Sequence, residues 1–388
     1  MLHRIKNAEV FAPAPMGVCH LLIAAGSIAY IGKDVPEIST SLLTSDIDLE
    51  GARVVPGFID GHAHVTGGGG EAGFKTRVPP VPLSQFTSAG VTTVIGLLGT
   101  DDITRSTSSL VAQTMGLREE GLSAWCYTGG YHLPPTTLTG SVKGDIVHVD
   151  CIIGAGEVAV SDHRSSQPTF DELAKCAGEA HVAGLHTGKA GIVHLHMGDG
   201  NRGLDLVRQI FAQTELPARV FNPTHCNRNK ALFEEACELA GNGSWIDLTA
   251  FPESKNDDEW SAAAGLLRYL DNGYPADRIT ISSDGGGCLP VFDEAGELAS
   301  LDYGRAGLLA DTLKGLLDSG VPLESVLTAF TANVASLLRL HQKGVLAKGK
   351  DADLVVLDED SKIRDVMAIG EWHRQYGKQL RKGSFESK

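Results

Sequence analysis

The sequence has little positive charge for its size. Its 388 residues include 33 Lys and Arg against 48 Asp and Glu, which gives a formal net charge of −15 at pH 7. A surface with this excess of negative charge is repelled by phosphate backbones and by anionic membranes. We therefore expect neither nucleic acid nor a membrane surface as a main partner.

Long hydrophobic runs and paired cysteines are also missing. A transmembrane helix takes roughly 18 consecutive apolar residues, and the best candidate, residues 18–32, contains His20 and several glycines. The seven cysteines are scattered, odd in number and without a Cys-x-x-Cys pair, unlike a disulfide framework or a zinc knuckle. We find no targeting signal, so a reducing cytoplasm is the expected location.

What is present predicts an α/β fold. Hydrophobic residues make up 42% and charged residues 21% of the chain, as in ordinary globular domains. Residues 1–55 and 344–388 carry short β-prone runs between turn residues, which predicts a small β-sandwich built from both termini. Residues 56–343 alternate strand and amphipathic helix patterns, which is typical of parallel strands with helical crossovers. Eight such units have the size of a (β/α)8 TIM-like barrel.

The barrel prediction places one strand in each unit. The predicted strands are 54–64, 91–96, 123–129, 157–163, 192–198, 219–225, 244–250 and 279–284. Predicted helices lie at 108–120, 170–183, 204–213, 230–239, 258–270, 305–317 and 323–338. In such a barrel the carboxyl ends of the strands share one face, where barrel enzymes keep their active sites.

Residues that can bind a metal stand at or beside five of these strands. His62 and His64 are two residues apart at the end of the first strand, so both side chains point to the same side. The four other strands contribute Glu157, His196, His225 and Asp284. Imidazole and carboxylate ligands suit zinc or a similar divalent ion. One histidine at a strand end is usually an ordinary hydrogen-bonded residue, but the whole set predicts a metal site.

Two further histidines compete for this role. His194 lies two residues before His196 and shares its side of the strand, deeper in the barrel. We interpret it as a packed or supporting residue, because the outermost position is the one that reaches the mouth. His163 follows Asp162 on the fourth strand, and it too is left out of the predicted ligands.

Several strings of residues resemble the amidohydrolase superfamily. GFIDGHAH (57–64) ends the first strand, SSDG (282–285) ends the eighth, and GKDADLVVLD (349–358) lies in the closing sandwich. Within the superfamily the chain resembles the bacterial isoaspartyl dipeptidases over nearly its whole length. This closer resemblance is carried by GGGGEAG (67–73), GLLGTD (96–101), YTGGYH (127–132), SDHRS (161–165), HMGD (196–199) and PTHCNRN (223–229).

The resemblance implies a hydrolase with two metal ions. One ion would be held by His62, His64 and Asp284, and the other by His196 and His225. Members of the superfamily bridge the two ions with a carboxylated lysine on the fourth strand, and the matching residue here is Glu157. Glutamate offers the same carboxylate on a shorter side chain, so the strand or the ions must come closer together. We expect two divalent ions bridged by Glu157, and a one-metal or impaired site is the alternative.

Two residues would take part in the chemistry directly. A water shared by two divalent ions loses its proton near neutral pH. Asp284 would accept that proton and deliver it to the leaving amine. Tyr131, in the glycine-flanked loop after the third strand, would donate a hydrogen bond to the oxyanion, although on sequence alone it could be a surface tyrosine.

The resemblance also implies how a substrate is held. An isoaspartyl dipeptide carries an ammonium group and two carboxylates around its amide bond. Glu71, with Thr100 beside it, would face the ammonium group. Arg228 would bind the aspartyl carboxylate and Arg164 the carboxylate of the leaving residue, because guanidinium groups bind carboxylates through paired hydrogen bonds.

Some of these assignments have plain alternatives. Arg164 could pair with the neighbouring Asp162, and Arg228 could be a solvated loop charge. Cys288 stands where the family usually has a serine, and a thiol is a weaker hydrogen-bonding group, so carboxylate binding would be looser or tuned to another acidic side chain. A cysteine nucleophile is disfavoured because the nearby histidines are assigned to metal.

Other functions remain as alternatives. Cyclic-amide hydrolases of the dihydroorotase or hydantoinase type would share the two-metal site, as would amidohydrolases acting on N-acyl acidic amino acids. One-metal deaminases place a glutamate three residues after the histidine of the fifth strand, where this chain has Asp199. A scaffold without activity would not need to keep a full ligand set. A homo-oligomer is the expected assembly.

Overall fold

Strands and helices alternate through the middle of the chain, and strands dominate both ends. The structure, a computed structural model, describes residues 1–252, 257–292 and 298–387, with the backbone alone for residue 292. The strands are β1 (Leu2–Phe11), β2 (Pro15–Ala24), β3 (Ser27–Gly32), β4 (Ser45–Asp48), β5 (Arg53–Pro56), β6 (Phe58–Ala63), β7 (Val91–Gly96), β8 (Ser123–Thr128), β9 (Ile152–Val160), β10 (Ile192–Met197), β11 (Phe221–Thr224), β12 (Ile246–Thr249), β13 (Ile279–Ser282), β14 (Cys288–Phe292), β15 (Leu298–Tyr303), β16 (Leu354–Leu357), β17 (Ile363–Ala368), β18 (Glu371–Gln375) and β19 (Lys378–Gln379). The α-helices are α1 (Leu83–Ser88), α2 (Thr107–Glu119), α3 (Val142–His148), α4 (Phe170–Thr187), α5 (Asp205–Gln213), α6 (Lys230–Gly241), α7 (Ala262–Asp271), α8 (Gly307–Asp318), α9 (Leu323–Val326) and α10 (Ala332–Leu338).

The two ends of the chain share one sheet. Its strands follow the order β19-β18-β17-β16-β5-β1-β2-β3, and β4 pairs with β1. The antiparallel pair of β5 and β16 joins the two ends, with Val55 opposite Val355. This sheet has a hydrophobic core of its own, which includes Leu21, Val54 and Leu354. Both termini therefore build one module. Its hydrogen bonds form a continuous sheet, and a two-layered sandwich stays a prediction.

The middle of the chain forms a curled parallel sheet with helical crossovers. Six parallel strands follow the order β11-β10-β9-β8-β7-β6, and β12 pairs with β13 in parallel. Seven of the eight predicted segments contain one of these strands, and the segment predicted at 157–163 is wrong in its bounds, because it overlaps only the end of β9. Backbone hydrogen bonds link the two groups at both edges, from His64 N to Gly285 O at 2.8 Å and from Cys226 N to Asp247 O at 3.2 Å. The α/β prediction is confirmed, and these links are the ones that a closed eight-stranded barrel requires.

Two other predicted elements are each divided in the structure. The strand predicted at 54–64 is two strands, because the chain leaves the terminal sheet after Pro56 and enters the parallel sheet at Phe58. Gly57 allows this passage, since a Cβ there would lie 2.1 Å from Thr92 Oγ1. The helix predicted at 323–338 is interrupted by a 3-10 turn at Leu327–Phe330, after which Thr331 adopts non-helical dihedral angles. The hairpin of β14 and β15 was not predicted.

Polar side chains fix where several crossover helices begin. Thr169 and Glu172 form a reciprocal capping box at the start of α4, and Gly188 ends that helix in the left-handed conformation. The helices α2, α6 and α7 begin at capping side chains of Ser106, Asn229 and Ser261. Such a cap contributes about 1 kcal/mol. Within the described ranges, no helix combines the length and the apolar composition that a membrane span needs.

The central parallel strands are buried along their whole length. Every residue of β9 and of β10 is buried, because helices cover one side of a parallel sheet and the curled interior lies on the other. A polar side chain there is costly unless it has a partner or a ligand. Glu157, His194 and His196 are therefore the residues of these two strands that call for an explanation.

Candidate active site

The predicted metal ligands gather at the carboxyl ends of the parallel strands. His62 lies in β6 with His64 directly after it, Glu157 lies in β9, His196 in β10, and His225 and Asp284 follow β11 and β13. Each of these six side chains is buried. The shared strand direction brings together residues that are up to 222 positions apart in the sequence, from 62 to 284.

Two of the predicted ligands have a strained backbone conformation. His225 has φ of 59° and Asp284 has φ of 52°, in the left-handed region that residues with a Cβ rarely adopt. His225 directly follows β11 and Asp284 lies two residues after the end of β13, so each turn aims the side chain back over the end of the sheet. Strain of this kind costs roughly 1 kcal/mol or more and clusters at functional sites.

Glu157 is the centre of the group. Its Oε1 lies 3.3 Å from His64 Nε2, and its Oε2 lies 3.2 Å from His196 Nδ1. The same Oε2 is 3.6 Å from the Nε2 atoms of both His62 and His225. One carboxylate therefore reaches all four histidines, which is the position that a bridging ligand would need.

Asp284 faces the histidine pair from the other side. Its Oδ1 lies 3.3 Å from His62 Nε2 and 3.2 Å from His64 Nε2. Burial raises the pKa of Asp284, but the close approach of these two histidines outweighs it and holds the pKa far below its usual range. Asp284 is therefore a carboxylate at every ordinary pH.

The charges of the site favour a cation. Burial lowers the pKa of His64, but Asp284 and Glu157 outweigh this effect and raise that pKa to about 10. Burial raises the pKa of Glu157, yet the charge of His62 and the hydrogen bond with His196 hold it well below its usual range. Two buried carboxylates thus stabilise positive charge at one point, whether a proton or a metal ion carries it.

The side chains present fit a divalent metal ion. Three buried atoms that face one another, His62 Nε2, Glu157 Oε1 and Asp284 Oδ1, have no hydrogen-bond partner. Among the described residues, two groups of three offer ligand atoms within 4.8 Å of one another, namely His62 with His64 and Asp284, and His62 with Glu157 and His225. Nitrogen and carboxylate oxygen ligands in this number suit zinc.

His196 is held differently from the other ligands. The Tyr131 hydroxyl lies 2.8 Å from its Nδ1, and Asp162 Oδ2 lies 3.0 Å from its Nε2. It contacts Glu157 but belongs to neither group of three, so its expected place on a second ion stays a prediction. Burial raises the pKa of Tyr131 well above its usual value, so its hydroxyl keeps its proton and can donate a hydrogen bond.

The predicted substrate residues face the same space. Thr100 Oγ1 donates a hydrogen bond to Glu71 Oε1 at 2.7 Å, and Arg164 Nη1 lies 3.6 Å from that oxygen. Arg164 also binds Asp162 through Nε at 3.1 Å and Nη2 at 2.8 Å. The plain alternative for Arg164, pairing with Asp162, is thus realised, and the same ion pair holds the guanidinium group at the rim of the site.

Arg228 and Cys288 complete this rim. Arg228 Nη1 donates to the backbone oxygen of Met197 at 2.7 Å, and its Nε lies 3.5 Å from Asp199 Oδ1. Burial, reinforced by Glu71, raises the pKa of Cys288 to about 12. A thiol that keeps its proton is a poor nucleophile, which agrees with its interpretation as a binding residue.

One cavity joins these parts. It encloses about 1180 Å³, and its walls include every predicted site residue except His62, which lies beneath His64. Its size falls slightly above the usual range for small-molecule sites, roughly 300 to 1,000 Å³. The predicted ligands and the predicted substrate residues therefore share a single binding space.

The profile of the Amidohydrolase family matches residues 53–373, which is most of the chain. The chain belongs to this family. The chain is similar to a crystal structure of β-aspartyl dipeptidase from Fervidobacterium islandicum AW-1 in complex with β-Asp-Leu dipeptide. The two sequences are 42% identical, the TM-score is 0.93, and the match covers 100% of this chain and 99% of the dipeptidase chain. A D-hydantoinase structure at 17% identity and a TM-score of 0.70 covers 100% of this chain and 98% of its own, and shares the fold.

Curated relatives are more distant. A deacetylase of Agrobacterium fabrum is 25% identical over 92% of this chain and 83% of its own length. Adenine deaminase 2 of Carboxydothermus hydrogenoformans is 25% identical over 97% of this chain, which spans only 58% of that protein. Named activities thus vary among relatives of this amidohydrolase, and its own activity has to be argued from the site.

Sequence reasoning missed three contacts in the site of this amidohydrolase. Asp162 holds both His196 and Arg164, although the sequence indicated only its neighbour Arg164 as a partner. His194 Nε2 lies 2.8 Å from His62 Nδ1, which the His-x-His spacing of β10 could have suggested but not located. No feature of the sequence indicated a role for Phe251, which stacks on His225 with ring centroids 5.8 Å apart.

Proposed function

We propose that this amidohydrolase cleaves the isopeptide bond of β-aspartyl dipeptides. The observation that carries the proposal is the shared cavity, in which an acid (Glu71) and two arginines (Arg164 and Arg228) surround a cluster of buried metal ligands. This arrangement matches a substrate with one ammonium group, two carboxylates and an amide bond between them. The similarity to a β-aspartyl dipeptidase at 42% identity over the full length supports the same substrate class.

We propose that the site holds two divalent ions, zinc or a similar metal, on a closed (β/α)8 barrel. His62, His64 and Asp284 would bind one ion, His196 and His225 the other, and Glu157 would bridge them. Such a pair supplies a hydroxide nucleophile at neutral pH and polarises the amide carbonyl. The proposed bridge is supported by the reach of Glu157, whose carboxylate lies within 3.6 Å of all four histidines.

The chain's own residues would move the protons. Asp284, whose buried Oδ1 has no hydrogen-bond partner, would accept the proton of the attacking water and deliver it to the leaving amine. Tyr131 would donate its hydroxyl proton in a hydrogen bond to the oxyanion, since its buried hydroxyl stays protonated.

Substrate recognition would rest on matched charges. Glu71, oriented by Thr100, would bind the ammonium group, while Arg228 and Arg164 would each bind a carboxylate. Arg164 would do so while still held by Asp162, which keeps the guanidinium group in place before the substrate arrives. Cys288 would lie beside the bound dipeptide. A homo-oligomer and a cytoplasmic location stay predictions.

The position of Asp199 favours a hydrolase over a one-metal deaminase. A deaminase would need a carboxylate there that reaches the reacting atoms. The side chain of Asp199 is 75% exposed and lies 3.5 Å from Arg228 Nε, at the outer rim. It therefore fits a role beside the arginine better than a role in proton transfer.

The test is hydrolysis of β-Asp-Leu by the zinc-loaded enzyme, measured as release of leucine. Parallel assays with α-Asp-Leu, dihydroorotate, a hydantoin, N-acetylaspartate and adenine distinguish the alternative functions. We expect turnover of β-Asp-Leu that a chelator abolishes and added zinc restores. Turnover of a ring or of adenine, with none of β-Asp-Leu, would contradict the proposal.

A further inference from the structure

A chain of hydrogen bonds leads from His62 into the interior of the parallel sheet. His62 Nδ1 lies 2.8 Å from His194 Nε2, and His194 Nδ1 lies 2.7 Å from Asn222 Oδ1. Each of the three side chains is at most 1% exposed. The chemistry proposed above uses neither His194 nor Asn222, so these buried polar groups need another explanation.

The direction of the hydrogen bonds follows from the acceptor at the far end. An amide oxygen only accepts, so His194 donates its Nδ1 proton to Asn222, and its Nε2 is left as an acceptor. That acceptor places the proton of His62 on Nδ1. The lone pair of His62 Nε2 then faces Glu157 Oε2 at 3.6 Å and Asp284 Oδ1 at 3.3 Å.

The surrounding residues are shaped to admit His194. Tyr127 stacks on its ring with centroids 5.1 Å apart and an interplanar angle of 19°. Gly156, on the neighbouring strand, leaves the space that the histidine fills, because a Cβ there would lie 2.8 Å from His194 Cβ and 2.8 Å from its backbone oxygen. The residue that makes room for His194 thus directly precedes Glu157.

We infer that His194, oriented by Asn222, is a positioning residue that fixes the tautomer of His62 and so prepares its Nε2 to bind metal. The inference rests on the metal-binding part of the proposed function and not on the identity of the substrate. Partners of this kind orient metal-binding histidines, and their loss typically weakens metal affinity 10- to 100-fold.

The experiment measures zinc affinity of the full-length protein by competition with a chromophoric chelator. His194→Met removes the acceptor and keeps the volume, whereas His194→Gln can place an amide oxygen near the position of Nε2. His181→Met is the matched control, since His181 lies on α4 beside Arg219 and away from the site. Thermal unfolding of each metal-free variant reports any effect on packing.

We expect His194→Met to raise the dissociation constant for zinc 10- to 100-fold, with His194→Gln within about threefold of the wild type and His181→Met unchanged. Unchanged zinc affinity in His194→Met would overturn the inference. So would equal weakening in His194→Met and His194→Gln, because packing alone would then explain the effect.

A second variant covers the case in which His194→Met does not fold. Asn222→Leu leaves His194 in place but removes the acceptor that orients it, and we expect weaker zinc binding, whereas unchanged affinity would overturn the inference. Hydrolysis of β-Asp-Leu by the wild type is measured alongside. If this hydrolysis is absent while zinc affinity follows the expected pattern, the proposed substrate is wrong and the inferred role of His194 is still supported.

Discussion

Replacing Glu71 by glutamine is expected to remove the preference of the enzyme for a substrate with a free ammonium group. Glu71 accepts a hydrogen bond from Thr100 at 2.7 Å and lies 3.6 Å from Arg164. Its Oε2 is buried without a hydrogen-bond partner, which leaves an acceptor for a ligand. Glutamine keeps the shape and the contact with Thr100 but removes the charge.

The size of the effect follows from this one contact. A hydrogen bond to a charged group contributes about 1.5 to 3 kcal/mol, and about 1.4 kcal/mol corresponds to a tenfold change. Loss of the charge at Glu71 should therefore lower kcat/KM for β-Asp-Leu by roughly 10- to 150-fold. Succinyl-leucine, which lacks the ammonium group but keeps both carboxylates and the amide, should be affected little.

The assay compares kcat/KM for these two substrates in the wild type, in Glu71→Gln and in a control. Glu235→Gln is suitable because Glu235 lines the same cavity but is bound to Leu204 N and Arg208. We expect the ratio of kcat/KM for β-Asp-Leu to kcat/KM for succinyl-leucine to fall in Glu71→Gln and to stay unchanged in Glu235→Gln. An equal loss with both substrates, or an unchanged ratio, would refute the assignment of Glu71 to the ammonium group.

Three further predictions test the metal site, the oxyanion contact and stability. Glu157→Gln removes a negative charge that lies within 3.6 Å of four histidines. At an effective dielectric constant of 20, that charge attracts a unit positive charge at this distance by about 5 kcal/mol. Elemental analysis should therefore find fewer than two ions per chain, and two tightly held ions would speak against the bridge. Tyr131→Phe should lower kcat for β-Asp-Leu by about 10² to 10³ with little change in KM, and a change in KM alone would assign Tyr131 to substrate binding. His373 is fully buried; burial, reinforced by Arg381, lowers its pKa from 6.5 to about 4. Between pH 6.5 and 4 the unfolded chain therefore binds a proton that the folded one does not, so the free energy of unfolding should fall by up to about 3 kcal/mol as the pH falls. Denaturant unfolding at pH 7 and 4.5 should show a smaller fall in the free energy of unfolding in His373→Phe than in the wild type. An equal fall in both proteins would contradict the lowered pKa of His373.

The parts of the fold that sequence could predict are those set by local pattern. Apolar runs located the parallel strands, and the spacing of His62 and His64 placed both rings on one side of β6. The break between β5 and β6 could not be predicted in this way, because it depends on Gly57 packing against Thr92 from the next strand. The interruption of the last predicted helix before Thr331 likewise reflects tertiary packing rather than helix propensity.

The candidate site likewise combines residues that the sequence could predict with contacts that it could not. Residue type and strand position were enough to select the side chains that converge on Glu157. The contact of His194 with His62 joins residues 132 positions apart, and only the curvature of the sheet brings them together. The ion pair of Arg164 with Asp162 was one of two readings of the sequence, and only the structure shows that the arginine keeps this partner while it faces Glu71.

The most direct measurement is a crystal structure of the zinc-loaded protein, with anomalous scattering data collected on both sides of the zinc absorption edge. We expect two zinc peaks, with one carboxylate oxygen of Glu157 on each ion. A single peak with the Glu157 side chain turned away from it would rule out a site bridged by Glu157.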